Sequence, residues 1–274
     1  MSAAARAPLS VASRHRRVFL VVWGALVVLA WASLWAWAAS PYGRYLDHGD
    51  WMSAGPLAQL CRAVPAGEVV LPLVWVASAW VLMTTAMMLP TTLALFNSFD
   101  RLTSHRSDHA LLLTMLGLGY MVAWAAFGLV AHAAHGALLA LIDRVHWLTV
   151  HAWTIGVATL TLAGAFQFSA LKHRCLDKCR TPLSFVMQHW RGREPVRRAF
   201  MLGLHHGVYC VGCCWALMLL MFMLGMGSLG WMLVLAALMA AEKNLSWGRR
   251  LSAPLGVVLL AWGAALAAIE LAHA

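Results

Sequence analysis

Seven long apolar runs, separated by short polar or basic stretches, dominate the chain. They fall at about 18–39, 71–95, 110–132, 147–171, 199–224, 229–245 and 253–272. A bilayer core takes roughly 20 apolar residues as helix, with a range of about 17–25, and all seven runs meet that length. The sequence holds none of the short alternating segments that build membrane barrels, so helices must satisfy the backbone. The pattern predicts an all-α fold: a polytopic transmembrane helical bundle of about seven helices. It reads as a single integral membrane domain over 1–274, with a basic tail at 1–17 and no internal repeat.

Composition strengthens this reading. Hydrophobic residues make up 62% of the chain and charged residues 11%, against roughly 45–50% and 25% in soluble domains. The net charge of +10 would raise nucleic-acid binding in a soluble protein. Here the basic residues stand in short blocks between apolar runs, with no aromatic-interleaved basic surface, so no nucleic-acid partner is expected. With the N-terminus placed in the cytoplasm, 17 of the 20 Lys and Arg fall on inside segments. Such a split follows the positive-inside rule and puts the C-terminus outside. The apolar stretch of the first run is too long for an ordinary signal peptide and reads as an uncleaved anchor. The expected location is a bacterial inner membrane, with the lipid bilayer as the first partner. Residues 40–70, with Tyr42, Tyr45 and Trp51, form an external loop, 133–146 a shorter one, and 172–198 a basic internal loop.

Five features carry candidate chemistry. The fifth run contains His205, His206, Cys210, Cys213 and Cys214. At 100° per residue, His206, Cys210 and Cys213 share one helix face and Cys214 flanks it. Gly203, Gly207 and Gly212 allow another helix to approach closely. Thiolates and imidazole on one face suit Cu(I) or Zn(II). Cys175 and Cys179 stand at i and i+4 if the fourth helix continues through them. Lys172, His173, Arg174, Lys178 and Arg180 around them favour thiolate. A cytoplasmic position would keep these thiols reduced, while Cys61 lies in the external loop. Met83 and Met87 share a face of the second run, where Pro90 should kink the helix and free a carbonyl. Met218, Met221 and Met223 add further thioethers. His132, His135, His146 and His151 bracket the 133–150 connection and could capture a metal. Glu242, beside Lys243 near the inner end of the sixth helix, is a functional candidate because a buried acid is costly unless paired.

Taken together, AMMLPT at 86–91, FQFSALKHRCLDKCRTP at 166–182, GLHHGVYCVGCCWALM at 203–218 and the Glu242-Lys243 pair are similar to a bacterial family of predicted metal-binding integral membrane proteins. The resemblance covers about 75–245. Met87, Met88, Pro90, Gln167, Lys172, Cys175, Cys179, Pro182, Gly207, Cys210, Gly212, Cys213, Cys214, Glu242 and Lys243 match that family's pattern. The family often has an Asn in the turn after the fifth helix, where this chain has Gly227-Ser228.

The expected function is binding of a soft transition metal, copper first and zinc second, for handling or delivery. The expected ligands are Cys175, Cys179, His206, Cys210, Cys213 and Cys214, and the expected partner is a metal donor or acceptor protein. One alternative is a membrane thiol oxidoreductase using Cys210 and Cys213, with Cys175 and Cys179 as a relay. Another is a non-catalytic assembly subunit in which small residues and Met only pack. No nucleotide loop or nucleophile elbow marks an enzyme. Reporters fused after residues 50, 100, 140, 185 and 250 should read outside, inside, outside, inside and inside. A cytoplasmic signal at 140 would overturn the seven-helix arrangement.

Overall fold

In the computed structural model, residues 7–40, 70–190, 194–224 and 228–273 are described. The fold is all-α. Its helices are α1 (Ala7–Ala38), α2 (Val70–Met88), α3 (Leu93–Thr103), α4 (His109–Arg144), α5 (His146–Val150), α6 (Trp153–Phe166), α7 (Ala170–Arg180), α8 (Pro182–His189), α9 (Pro195–Leu224), α10 (Leu229–Asn244) and α11 (Ser252–His273). Single turns of 3-10 helix, Pro90–Thr92 and Gly248–Leu251, lead into α3 and α11. Cys61 and most of the predicted external loop lie outside the described residues, as do residues 225–227 of the turn before α10.

Among the described residues, four helices are long and apolar enough to cross a membrane: Arg17–Ala38, His109–Arg144, Pro195–Met221 and Gly248–Ala272. Two bent pairs bring the number to as many as six. Ala77–Met88 meets Pro90–Thr103 at 44°, and Trp153–Phe166 meets Ala170–Arg180 at 60°. The remaining predicted run forms α10, whose 16 residues span roughly 24 Å at 1.5 Å per residue, short of a core about 30 Å thick.

The two bends have separate causes. Pro90 has no N–H to return to the carbonyl of Ala86. Trp31 on α1 fills that gap, its indole N–H donating to Ala86 O at 3.2 Å. The second bend corrects the expectation of one continuous helix over 147–171. Gln167 ends α6, and Ser169 then caps a new helix, its hydroxyl accepting the Lys172 N–H at 3.1 Å. An N-cap Ser competes with helix continuation because it offers the next turn an acceptor of its own.

Two connections predicted as loops are helical. Residues 133–144 belong to α4, where a run rich in Ala and Leu sustains the helix. The basic segment 172–198 holds α7 and α8. Its side chains are divided between a buried face, with Lys172, Cys175, Leu176 and Cys179, and an exposed one with Arg174 and Lys178.

The centre of the bundle is the side-by-side pair α4 and α9, which run parallel. Their backbones touch through glycine. A Cβ on Gly203 would lie 1.9 Å from Leu116 O, and one on Gly119 would lie 2.0 Å from Phe200 O. Glycine is required there because any side chain would push the helices apart. α2 lies antiparallel beside α4, with Trp80 donating to Trp124 O at 2.9 Å. α6 and α11 pack antiparallel across Gly164 and Gly256. At one end, Phe99, Leu112, Leu116, Phe185, Val186 and Leu202 close a second apolar cluster beneath the central one.

Gly203→Ala should destabilise the bundle by about 1–3 kcal/mol, the usual cost of overpacking. Gly136, with open space around its Cβ position, should accept Ala at no cost. Thermal unfolding of both variants in detergent checks the contrast, and equal midpoints would contradict the close α4–α9 contact.

Candidate metal centre

Five cysteines meet where α7 and α10 abut the middle of α9. Cys175, Cys179, Cys210, Cys213 and Cys214 are all free and buried. The 60° bend places them there, because it turns α7 from the path of α6 onto the side of α9. Gly212 then admits Cys175, whose Sγ would be 2.7 Å from a Cβ at that position. One turn on, the Cys179 thiol interacts with Cys210 and Cys213. Cys175 and Cys179 share one buried face, as their i, i+4 spacing predicts, though on a separate helix.

On α9 the three thiols have different partners. Cys213 and Cys214 both donate back to Cys210 O, at 3.1 and 2.9 Å. Cys210 Sγ faces outward to the Tyr120 hydroxyl at 3.1 Å and to the Lys243 ammonium at 3.0 Å. Cys214, expected at the flank of the stripe, reaches across to α2, with Sγ 4.0 Å from Met88 Sδ.

Lys243 is the group that joins these elements. Its Nζ lies 3.0 Å from Cys210 Sγ, 3.9 Å from Cys214 Sγ and 3.9 Å from Met88 Sδ. It also donates to Thr91 Oγ1 at 3.3 Å. The Pro90 bend supplies two of these partners by presenting Met88 and Thr91 together. It also leaves the Met88 carbonyl to accept the Thr91 and Tyr120 hydroxyls, at 2.7 and 3.5 Å.

The neighbouring Glu242 turns to a second buried cation. Both its carboxylate oxygens accept from Lys172 Nζ, at 2.8 and 2.9 Å, and Ser252 Oγ donates to one of them at 2.7 Å. Gln167 completes the set as an acceptor for Lys172, and Arg180 donates to the Glu242 carbonyl. This network ties the α6–α7 bend to α10. A buried ion pair of this kind is expensive to break, at about 3–5 kcal/mol when one partner is removed. It corrects one expectation: Lys172 serves Glu242, and Arg174 and Lys178 are exposed, while the cation at the thiols is Lys243.

His206 is buried one turn below Cys210. Its ring packs between Tyr120 and Phe185, with centroids 6.2 and 5.5 Å away, and its Nδ1 has no hydrogen-bond partner among the described residues. His205 faces His189 instead, at 5.5 Å between centroids. Met83, Met87, Met218 and Met221 fill the apolar core. Of the predicted external histidines, His151 stacks on Trp147 at 4.6 Å. Among the described residues, no three His, Cys, Asp or Glu side chains form a metal cage by themselves. The Met88 thioether and the Lys243 ammonium stand beside the thiols.

Sequence reading missed Tyr120 and the contact of Lys243 with the sulfurs. Tyr120 carried no signal beyond being a lone Tyr in an apolar helix. Lys243 did carry one: a lysine next to an acid at the end of an apolar run points about 100° away from it, so each must find its partner on a different neighbour.

Thiols and a thioether are soft donors, and their chemistry suits Cu(I) above harder cations. No curated protein and no solved structure matches the chain. A family model does, over residues 77–266, and its description is copper chaperone, PpoB2. That span contains every residue of the sulfur cluster, and on it the chain belongs to the PpoB2 copper chaperone family.

Proposed function

We propose that this protein is a copper chaperone embedded in the bacterial inner membrane, which holds Cu(I) as cargo on its buried sulfur cluster and passes it to a partner protein. The observation that carries this reading is the meeting of Cys179, Cys210, Cys213, Cys214 and Met88, from three helices, in one buried volume. Cys210, Cys214 and Met88 are the central donors, because all three surround one point. Cys179, Cys213 and Cys175 stand behind them as further sulfur donors. His206 is a borderline donor at the lower edge.

Membrane insertion is supported by the long apolar helices and by their directions. Packing runs antiparallel between α1 and α2, between α2 and α4, and between α6 and α11. It runs parallel between α4 and α9, as expected if both leave the cytoplasmic side. These directions fit either orientation, and the 17 of 20 Lys and Arg on one side favour a cytoplasmic N-terminus. Pro195 and Cys210 are 15 residues apart, so the cluster lies about 22 Å along α9 from its cytoplasmic end. Thiol exchange with a protein disulfide would need an accessible sulfur, and Cys210, Cys213 and Cys214 are all almost fully covered. A bare monovalent ion needs far less room than a disulfide.

Copper and zinc per protein should be measured in detergent-purified chain at equal expression. Cys210→Ser, Cys214→Ser and Met88→Leu should each weaken Cu(I) retention by at least the 10–100-fold that even outer-shell partners typically contribute. Cys61→Ser, remote in sequence from the cluster, should retain the full amount. Equal copper in all four variants would sink the site and leave packing as the role of these sulfurs.

A further inference from the structure

The Lys243 ammonium stands among the very atoms that would surround a metal ion. Cys210 Sγ, Cys214 Sγ and Met88 Sδ lie 3.0, 3.9 and 3.9 Å from its Nζ. These come from α9 and α2, while Lys243 enters from α10, so three separate helices aim at one point. A single positive charge inside an apolar bundle must be compensated, since an unpaired buried ammonium costs several kcal/mol. The adjacent carboxylate does not serve this purpose: Glu242 is taken by Lys172 and Ser252. Sulfur is a poor hydrogen-bond acceptor, so three sulfur neighbours are an unusual setting for a lysine. They are a natural setting for a soft monovalent cation.

We infer that Lys243 is a built-in stand-in for the cargo: its ammonium occupies the Cu(I) position among Cys210, Cys214 and Met88 in the empty protein, and it exchanges with the ion on loading and unloading. The inference rests on the copper reading above and adds a means of release. Cu(I) adds one positive charge while the tethered ammonium only moves aside, and the loss of one thiol proton to solvent offsets that added charge. No electron moves, copper stays Cu(I), and any thiol that binds as thiolate gives one proton to solvent.

Thr91 gives the ammonium a partner it can keep while it swings away from the sulfurs. Its hydroxyl already accepts from Lys243 at 3.3 Å, and it sits on the 3-10 turn after Met88, beside the sulfurs and not among them. The reverse exchange explains how a buried thiol site can let copper go. Soft ligands alone would hold Cu(I) tightly, and a tethered cation that competes for the same place lowers the apparent affinity. The size of that penalty follows from the fraction of molecules in which the site is free, because apparent affinity scales with the binding-competent population.

The test measures Cu(I) affinity and release in the full-length protein, using a chromophoric Cu(I) chelator as competitor. Lys243→Leu removes the ammonium and adds no group that can bind copper. It should bind Cu(I) at least about tenfold more tightly than wild type and lose it to the chelator more slowly. Lys243→Gln, which keeps a polar end for Thr91, should shift the same way and serves if the Leu variant does not fold. Arg250→Gln, an exposed change at the same end of the fold, controls for net charge and should match wild type. Copper bound by wild type but bound equally or more weakly by both Lys243 variants would overturn the exchange and leave the copper site standing. No copper bound by wild type or by either variant would overturn both.

Discussion

Charge buried in an apolar bundle has to be matched, and this constraint organises the structure around the sulfur cluster. Two lysines sit deep in the fold, Lys172 with no exposed surface and Lys243 with 6%. They meet the requirement in different ways. Lys172 has a full carboxylate, a side-chain amide and a capped helix start around it, and so forms a fixed joint between α7 and α10. Lys243 has one hydroxyl and three sulfurs, which compensate a charge less completely. Its position is held by the joint next door: Glu242, one residue before it, is locked to Lys172, so α10 cannot rotate without breaking the stronger pair. The weaker arrangement is thereby kept in place beside the thiols.

The scaffold serves the same end. Backbone contact between α4 and α9 at Gly119 and Gly203 brings Tyr120 within reach of Cys210. The Pro90 bend turns Met88 and Thr91 inward and leaves a free carbonyl, which Trp31 takes. The Ser169 cap and the 60° turn after α6 lay α7 across α9 at Gly212. Each departure from regular helix in the described chain near the cluster delivers a donor to it.

The helical class, the apolar runs and the cysteine-bearing faces could be read from the sequence because each is a local pattern. Length and hydropathy identify a run, and 100° per residue decides which cysteines share a face. The Pro90 kink and its freed carbonyl were equally local. The break at Gln167 was not, because Ser169 lies within an apolar run and its cap depends on the buried network that fixes Lys172. Met88, Tyr120 and Lys243 were also hidden as partners of the thiols, although the family resemblance marks Met88 and Lys243. They come from α2, α4 and α10, and no spacing along one helix reveals what another helix brings to it. Met83 and Met87 share a face by periodicity, yet the sulfur that reaches the thiols belongs to Met88, just before the bend.

The central claim is that sulfur from separate helices surrounds one Cu(I) ion, and X-ray absorption at the copper edge tests it most directly. Full-length protein purified in detergent and loaded with one equivalent of Cu(I) should show a first shell made of sulfur, three atoms from Cys210, Cys214 and Met88 or from a neighbouring thiol. Met88→Leu should change that shell and Cys61→Ser should not. A shell of nitrogen or oxygen, or a sulfur shell identical in Cys210→Ser, would contradict the account.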